Sequence, residues 1–263
     1  MDKQTQENQS PRYRMIERSF SRDDLNISGH LYLPQKHDKP LPVVIIGHAF
    51  GGTMNGSVAG YAANLAENGI AACTFDFCGG SVKSSSDGST RDMSVLTEVE
   101  DILAVLQALK KDRHIDDRNI FLMGLSQGGT ASAIAAGRIP GQIRGLILLY
   151  PAFVIPHDMI EHYPLDQAVP EKLSVLGVPV GRRYIEDMRT YDIYGQISKY
   201  TGDVLIFHGT ADSLVPISYS RKAEEIYNHA RLVELQDAGH GFHEEENIPV
   251  YPQIVRFIRQ IIC

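Results

Sequence analysis

Two patterns of apolar positions alternate along most of the 263-residue chain. Short continuous apolar runs read as strands covered on both faces: "PVVIIGH" (42–48), "IAACTFDF" (70–77), Ile120 to Met123, "IRGLILLYP" (143–151), "DVLIFHG" (203–209) and "ARLVEL" (230–235). Between them lie segments of helical character. Ser57 to Glu67 stops at Asn68-Gly69, Val95, Val99, Ile102, Leu103, Leu106 and Leu109 recur at helical spacing, and Gln127 to Ala136 is built of small side chains. Ahead of this alternation, "YRMIERSF" and "LNISGHLYLP" are joined by a turn at Arg22 to Asp24 and read as an antiparallel edge. The sum predicts an α/β fold, a mostly parallel doubly wound sheet with an antiparallel N-terminal edge. A polar tail is expected over 1–12 and one domain over 13–263.

One stretch breaks the rhythm. Pro151 to Tyr200 follows the sixth strand, where a single crossover helix would suffice, and is rich in Pro, Tyr and charge. An insertion of this length in a compact domain is expected to act as a lid over a site, with a decorative subdomain as the alternative.

Within "NIFLMGLSQGGTASAIAAG" only Gly124, Leu125 and Ser126 separate strand from helix. So sharp a turn strains its central residue and brings the two elements close together, which accounts for Gly124 and Gly128. The five residues form the G-x-S-x-G elbow, which lifts a serine hydroxyl clear of the sheet. A serine needs a base, and the base needs a group to hold its tautomer. In parallel sheets such groups gather beyond the carboxyl ends of strands, where "DVLIFHGTADSLVP" places Asp212 and "ARLVELQDAGHGF" places His240. With ten histidines in the chain, His208 and His243 compete with His240; His208 falls inside its strand and His243 opens the acidic run "HEEEN". Ser126, Asp212 and His240 are therefore the expected catalytic residues. The oxyanion hole is assigned to the backbone N–H groups of Gln127 and of Phe50 in "GHAFGG", with His48 steadying that loop.

Composition narrows the partners. A net charge of −7 and the lack of any Lys/Arg run argue against nucleic acid. No stretch approaches a membrane span, and "MDKQTQENQSPR" is polar where a secretory signal would be apolar, so a cytoplasmic protein is expected. Cys73, Cys78 and Cys263 suggest neither a disulfide framework nor a zinc site, and no metal or cofactor is expected. Cys73 reads as core; Cys78, in a Gly-rich loop, could be accessible.

Together these motifs resemble the α/β-hydrolase superfamily over about Arg14 to Ile262. The finer pattern, with "LAENGIAACTFDFCGGSVKSSS", "GLSQGG", "HGTADSLVP" and "GHGF", resembles bacterial cinnamoyl (feruloyl) esterases. That resemblance implies hydrolysis of hydroxycinnamate esters, with the lid covering the acyl ring and polar lid side chains, for which Asp158 and Gln167 are the candidates, meeting its hydroxyls. Phe50, Phe153 and the lid tyrosines would form an apolar slot. Ala49 departs from the glycine common there, and the elbow lacks the cysteine or aspartate nucleophile of dienelactone hydrolases and haloalkane dehalogenases. A short-chain carboxylesterase, a peptidase-type amide hydrolase and a non-catalytic ligand-binding relative are the alternatives; the oligomeric state is left open.

Overall fold

The computed structural model describes residues 12–262. The expected tail, but for Arg12, and Cys263 lie outside them. The chain opens with β1 (Tyr13–Arg22) and β2 (Leu25–Pro34), which pair antiparallel from Tyr13 with Pro34 to Arg22 with Leu25. There follow β3 (Leu41–Gly47), α1 (Ser57–Glu67), β4 (Ala71–Phe75), α2 (Val95–Leu109), β5 (Ile115–Leu125), α3 (Gln127–Arg138) and β6 (Gly145–Leu149). The insertion then contributes α4 (Ile155–His162), a hairpin of β7 (Leu173–Val175) and β8 (Val178–Val180), α5 (Arg182–Glu186) and α6 (Ile193–Ile197). The chain returns through β9 (Asp203–Gly209), α7 (Ser218–Ile226) and β10 (His229–Leu235), and ends in α8 (Glu244–Asn247) and α9 (Val250–Ile262).

Eight strands form the main sheet in the order β1-β2-β4-β3-β5-β6-β9-β10. All neighbours from β4 to β10 run parallel, and β2 meets β4 antiparallel, so the doubly wound sheet with an antiparallel edge is what forms. Continuous apolar strands are required because both faces are covered. One face packs on α1 through Val58, Tyr61, Ala62 and Leu65 and on α9 through Val250, Ile254 and Ile258. The other packs on α2, α3 and much of the insertion. Helix α2 starts where Ser94 and Thr97 exchange side-chain and backbone hydrogen bonds in a capping box.

Strand β5 begins five residues before the apolar run at Ile120, because buried Ile115 already pairs with Leu41; the polar stretch Asp116 to Asn119 interrupts the apolar run, and a register shift follows. Cys78 is buried: its N–H donates to Asp101 Oδ2 at 2.9 Å, and burial pushes its thiol up to about 12. The Gly-rich loop, which left room for an accessible thiol, encloses it instead. Among the described residues no helix is long and apolar enough to cross a membrane.

Candidate active site

The loops after β3, β5, β9 and β10 meet at the carboxyl edge of the sheet. At the elbow Ser126 has φ 51° and ψ −118°, a conformation that side chains other than glycine rarely adopt. Backbone bonds fix it from both sides: the Ser126 N–H donates to Leu149 O at 2.9 Å, and its own carbonyl accepts from Ala152 at 3.1 Å. A Cβ on Gly124 would stand 2.1 Å from Gly128 O, and one on Gly128 would stand 2.3 Å from His48 O and 2.6 Å from Gly47 O. Close approach of α3 to β3 and β5 therefore demands both glycines, as the spacing of the motif predicts.

His240 Nε2 accepts the Ser126 hydroxyl at 2.9 Å, and its Nδ1–H donates to Asp212 Oδ2 at 2.7 Å. Asp212 Oδ1 accepts the N–H groups of Leu214 and Val215 at 3.0 and 2.8 Å. Burial works to raise its pKa, but hydrogen bonds from His208, His240 and Val215, with the charge of His240, outweigh it and hold the carboxyl well below the usual carboxylate range. The two loops approach closely because Gly209 has no side chain; a Cβ there would lie 2.2 Å from Ala238 O.

The β3 loop is held by His48, which is buried and kept neutral by desolvation. Its Nδ1–H donates to Ala49 O at 2.8 Å, and its Nε2 accepts the Phe77 N–H at 3.2 Å. The positive φ of this loop falls on Gly51 (67°), not on Ala49. Neither the Phe50 nor the Gln127 N–H has a hydrogen-bond partner among the described residues. Gln127 opens α3, where the helix dipole adds to the attraction for an anion.

A cavity of about 130 Å³ opens beside Ser126, walled by Phe50, Ile155, Met159, Val175, Leu214 and Val215. Besides Ser126 and Gln127, Asp158 and Tyr184 bring polar groups to it. Asp158 is half-buried, and desolvation raises its carboxyl above the ordinary value, against the pull of His157 and His162. Gln167 is not brought to the site: it lies exposed at the end of a turn in which its N–H donates to Pro164 O at 3.0 Å. Phe153 does not line the slot either. It is buried against Tyr194 of α6, and of the insertion's tyrosines Tyr184 lines the cavity while aliphatic side chains form most of the wall.

Three further groups make contacts that a reading of the sequence does not assign. Tyr150, at φ 37°, sets its ring edge-on to His240 with centroids 4.9 Å apart. His208 reaches Asp212 from behind. Glu98, wholly buried on α2, accepts Gln127 Nε2–H at 2.8 Å, and Gln127 Oε1 in turn accepts the Tyr184 hydroxyl at 2.6 Å. Only an i,i+4 relation in "HGTAD" hints at the second of these; a tyrosine after a strand and a glutamate on an apolar helix carry no signal of their own.

Residues 38–190 match the Hydrolase_4 family, described as serine aminopeptidase, S33. The chain belongs to this family of α/β-hydrolases. Est1E from Butyrivibrio proteoclasticus, in its structure with ferulic acid bound, is 26% identical and superposes with a TM-score of 0.85 over 93% of this chain and 99% of that one. The dihydrolipoyllysine-residue acetyltransferase component of the acetoin cleaving system of Pseudomonas putida is 25% identical over 251 residues, which cover 83% of this chain and 64% of that protein. The uncharacterized protein YcjY of Escherichia coli K12 is 29% identical over 115 residues, 43% of this chain and 37% of that protein. The chain thus spans less than two thirds of these two curated relatives.

Burial raises Glu98 well above the ordinary carboxyl value, against the hydrogen bond from Gln127, and its Oε2 has no partner among the described residues. An acid whose folded pKa is raised binds its proton more tightly folded than unfolded. Its contribution to stability is therefore full below the unfolded value of about 4.3 and is lost as pH rises toward the folded one. Glu98→Gln keeps an acceptor for Gln127 and removes the titration. In thermal unfolding followed from pH 5 to 8, the parent is expected to lose stability relative to this variant; parallel curves would show that Glu98 titrates as if exposed.

Proposed function

We propose that the protein is a serine carboxylesterase that works through an acyl-enzyme and takes hydroxycinnamate-type esters. The observation that carries this reading is the 2.9 Å hydrogen bond from the Ser126 hydroxyl to a His240 imidazole anchored on Asp212, at the wall of a largely apolar cavity. His240 Nε2 takes the proton as Ser126 Oγ attacks the ester carbonyl. Negative charge on the carbonyl oxygen meets the free N–H groups of Phe50 and Gln127. Asp212 stabilises the imidazolium, which then protonates the departing alcohol, and water repeats the sequence to release the acid.

The cavity suits one aromatic ring, since an apolar cavity of about 150 Å³ admits benzene. Asp158 is the acceptor for a ring hydroxyl, with Tyr184 beside it. The likeness to Est1E, a protein seen with ferulic acid, supports the same acyl class. The insertion, which supplies Asp158, Tyr184 and Val175, acts as the lid that sets acyl preference.

One observation favours a second reading. Asp158, in a family described as serine aminopeptidases, could hold the α-ammonium of a peptide instead of a phenol. A panel of p-nitrophenyl esters, methyl ferulate, methyl cinnamate and aminoacyl anilides separates the two, and failure to cleave any of them would sink both. Asp158→Ala is expected to leave p-nitrophenyl acetate hydrolysis unchanged and to lower kcat/KM for the hydroxylated cinnamate, relative to the unsubstituted one, about two- to tenfold, as loss of one hydrogen bond does. An unchanged ratio would remove Asp158 from the acyl subsite.

A further inference from the structure

Behind the Asp212 carboxylate stands a second imidazole. His208 is the penultimate residue of β9 and is 0% exposed. Its Nε2 lies 2.9 Å from Val215 O and 3.2 Å from Asp212 Oδ2, and its Nδ1 lies 2.7 Å from Ser220 Oγ on α7. A carbonyl and a carboxylate can only accept, so Nε2 carries the proton, which it donates to Val215 O with Asp212 Oδ2 close beside it. Nδ1 is then free to accept the hydroxyl hydrogen of Ser220, itself fully buried, and the neutral ring is satisfied at both nitrogens. Glu234, opposite it in the adjoining strand, is occupied by Arg221 in a two-bond pair at 2.8 and 2.9 Å.

Asp212 thus meets four donors. Two backbone N–H groups bond Oδ1, His240 bonds Oδ2, and the His208 Nε2–H stands 3.2 Å from that same oxygen. A purely structural histidine would need only Val215 and Ser220 to tie the loop to α7. The contact with Oδ2 adds two consequences. It stops the carboxylate from turning out of line with His240 Nδ1, and it draws electron density from the oxygen on which His240 leans.

We propose that His208, as a neutral Nε2–H donor, is a positioning residue for the Ser126–His240–Asp212 relay, fixing the carboxylate and moderating its pull on His240. This rests on the serine hydrolase reading above. Removing the donor leaves Oδ2 to His240 alone, so the imidazolium is favoured and the neutral base is less available in acid.

The test compares the parent, His208→Met and His208→Gln, whose amide can restore an N–H at the position of Nε2, by kcat and KM for p-nitrophenyl acetate across pH. His208→Met is expected to lose about ten- to a hundredfold in kcat with KM unchanged, the scale of a hydrogen bond to a charged group. The acid limb of its kcat/KM profile should move up by roughly half a unit to one unit, and His208→Gln should recover most of both. A Met variant whose limb stays in place, with Gln equally impaired, would reduce His208 to a structural tie. Should His208→Met fail to fold, nitrogen-15 NMR of the histidine-labelled parent decides: a neutral Nε2–H tautomer that persists while His240 titrates supports the proposal, and an Nδ1–H or charged ring overturns it. A parent with no acid limb, or one that a serine-directed phosphonate does not inactivate, would instead refute the hydrolase reading.

Discussion

Ser126→Ala is expected to reduce ester hydrolysis by about a thousandfold or more while the protein stays folded. The hydroxyl bonds the His240 imidazole and opens on the cavity, and among the described residues no second hydroxyl or thiol beside His240 replaces it. Cys78 is buried against Asp101, and its raised pKa withholds the thiolate. Ser126→Gly makes the sharper comparison. It is as inert as alanine, yet glycine adopts φ 51° without the strain a Cβ meets there, so its Tm should exceed that of Ser126→Ala by about 2–4 °C. Pre-steady-state release of p-nitrophenol and thermal melts of the three proteins check both parts. Appreciable turnover by either variant would remove Ser126 from the chemistry, and equal melts would show that the elbow stores no strain.

The parts of this site that can be read from the sequence are those that backbone geometry enforces locally. Gly124 and Gly128 are dictated by contacts of 2.1 to 2.6 Å within and beside one turn, so their spacing alone announces the elbow. Helix α1 ends where Asn68 and Gly69 say it must, with Gly69 at φ 85°. Asp212 and His240 follow their strands because parallel topology sends every such loop to the same edge of the sheet.

What cannot be read depends on how distant segments face one another. The run from Pro151 to Tyr200 shows that it is inserted but not that Leu173–Val180 folds into a hairpin, for its strands are three residues each and too short for a period. Phe153, expected in the slot, and Gln167, expected at a ring hydroxyl, stand outside the cavity for the same reason. The first is buried in the core against Tyr194, and the second lies exposed past the end of α4, a difference that depends on how the insertion docks and not on residue type. Glu98 lies on an otherwise apolar face and becomes meaningful only when Gln127 and Tyr184 arrive from two other elements.

Asp212→Asn is expected to cost as much activity as the loss of the serine, roughly three to four orders of magnitude, by a different route. Every partner of the Asp212 carboxylate is a donor: the Leu214 and Val215 N–H groups on one oxygen, the two imidazoles on the other. An amide offers one oxygen and one NH₂, so either flip sets N–H against N–H. With the oxygen toward the backbone, His240 Nδ1 must surrender its proton to keep a bond, and the resulting tautomer points Nε2–H at Ser126, where it can no longer accept the hydroxyl. With the oxygen toward the imidazoles, the buried Val215 N–H and the half-buried Leu214 N–H are orphaned and the loop after β9 loosens. Stability should respond with a definite sign. A carboxyl whose folded pKa is depressed stabilises the fold above the unfolded value of about 3.9 and loses that contribution as pH falls through the folded one, so the Asn variant should melt lower at neutral pH and draw level with the parent in strong acid. Steady-state rates at pH 8 with melts from pH 7 down to 2 check the pair of effects; a variant within tenfold of the parent would mean that His240 takes its tautomer from some other group.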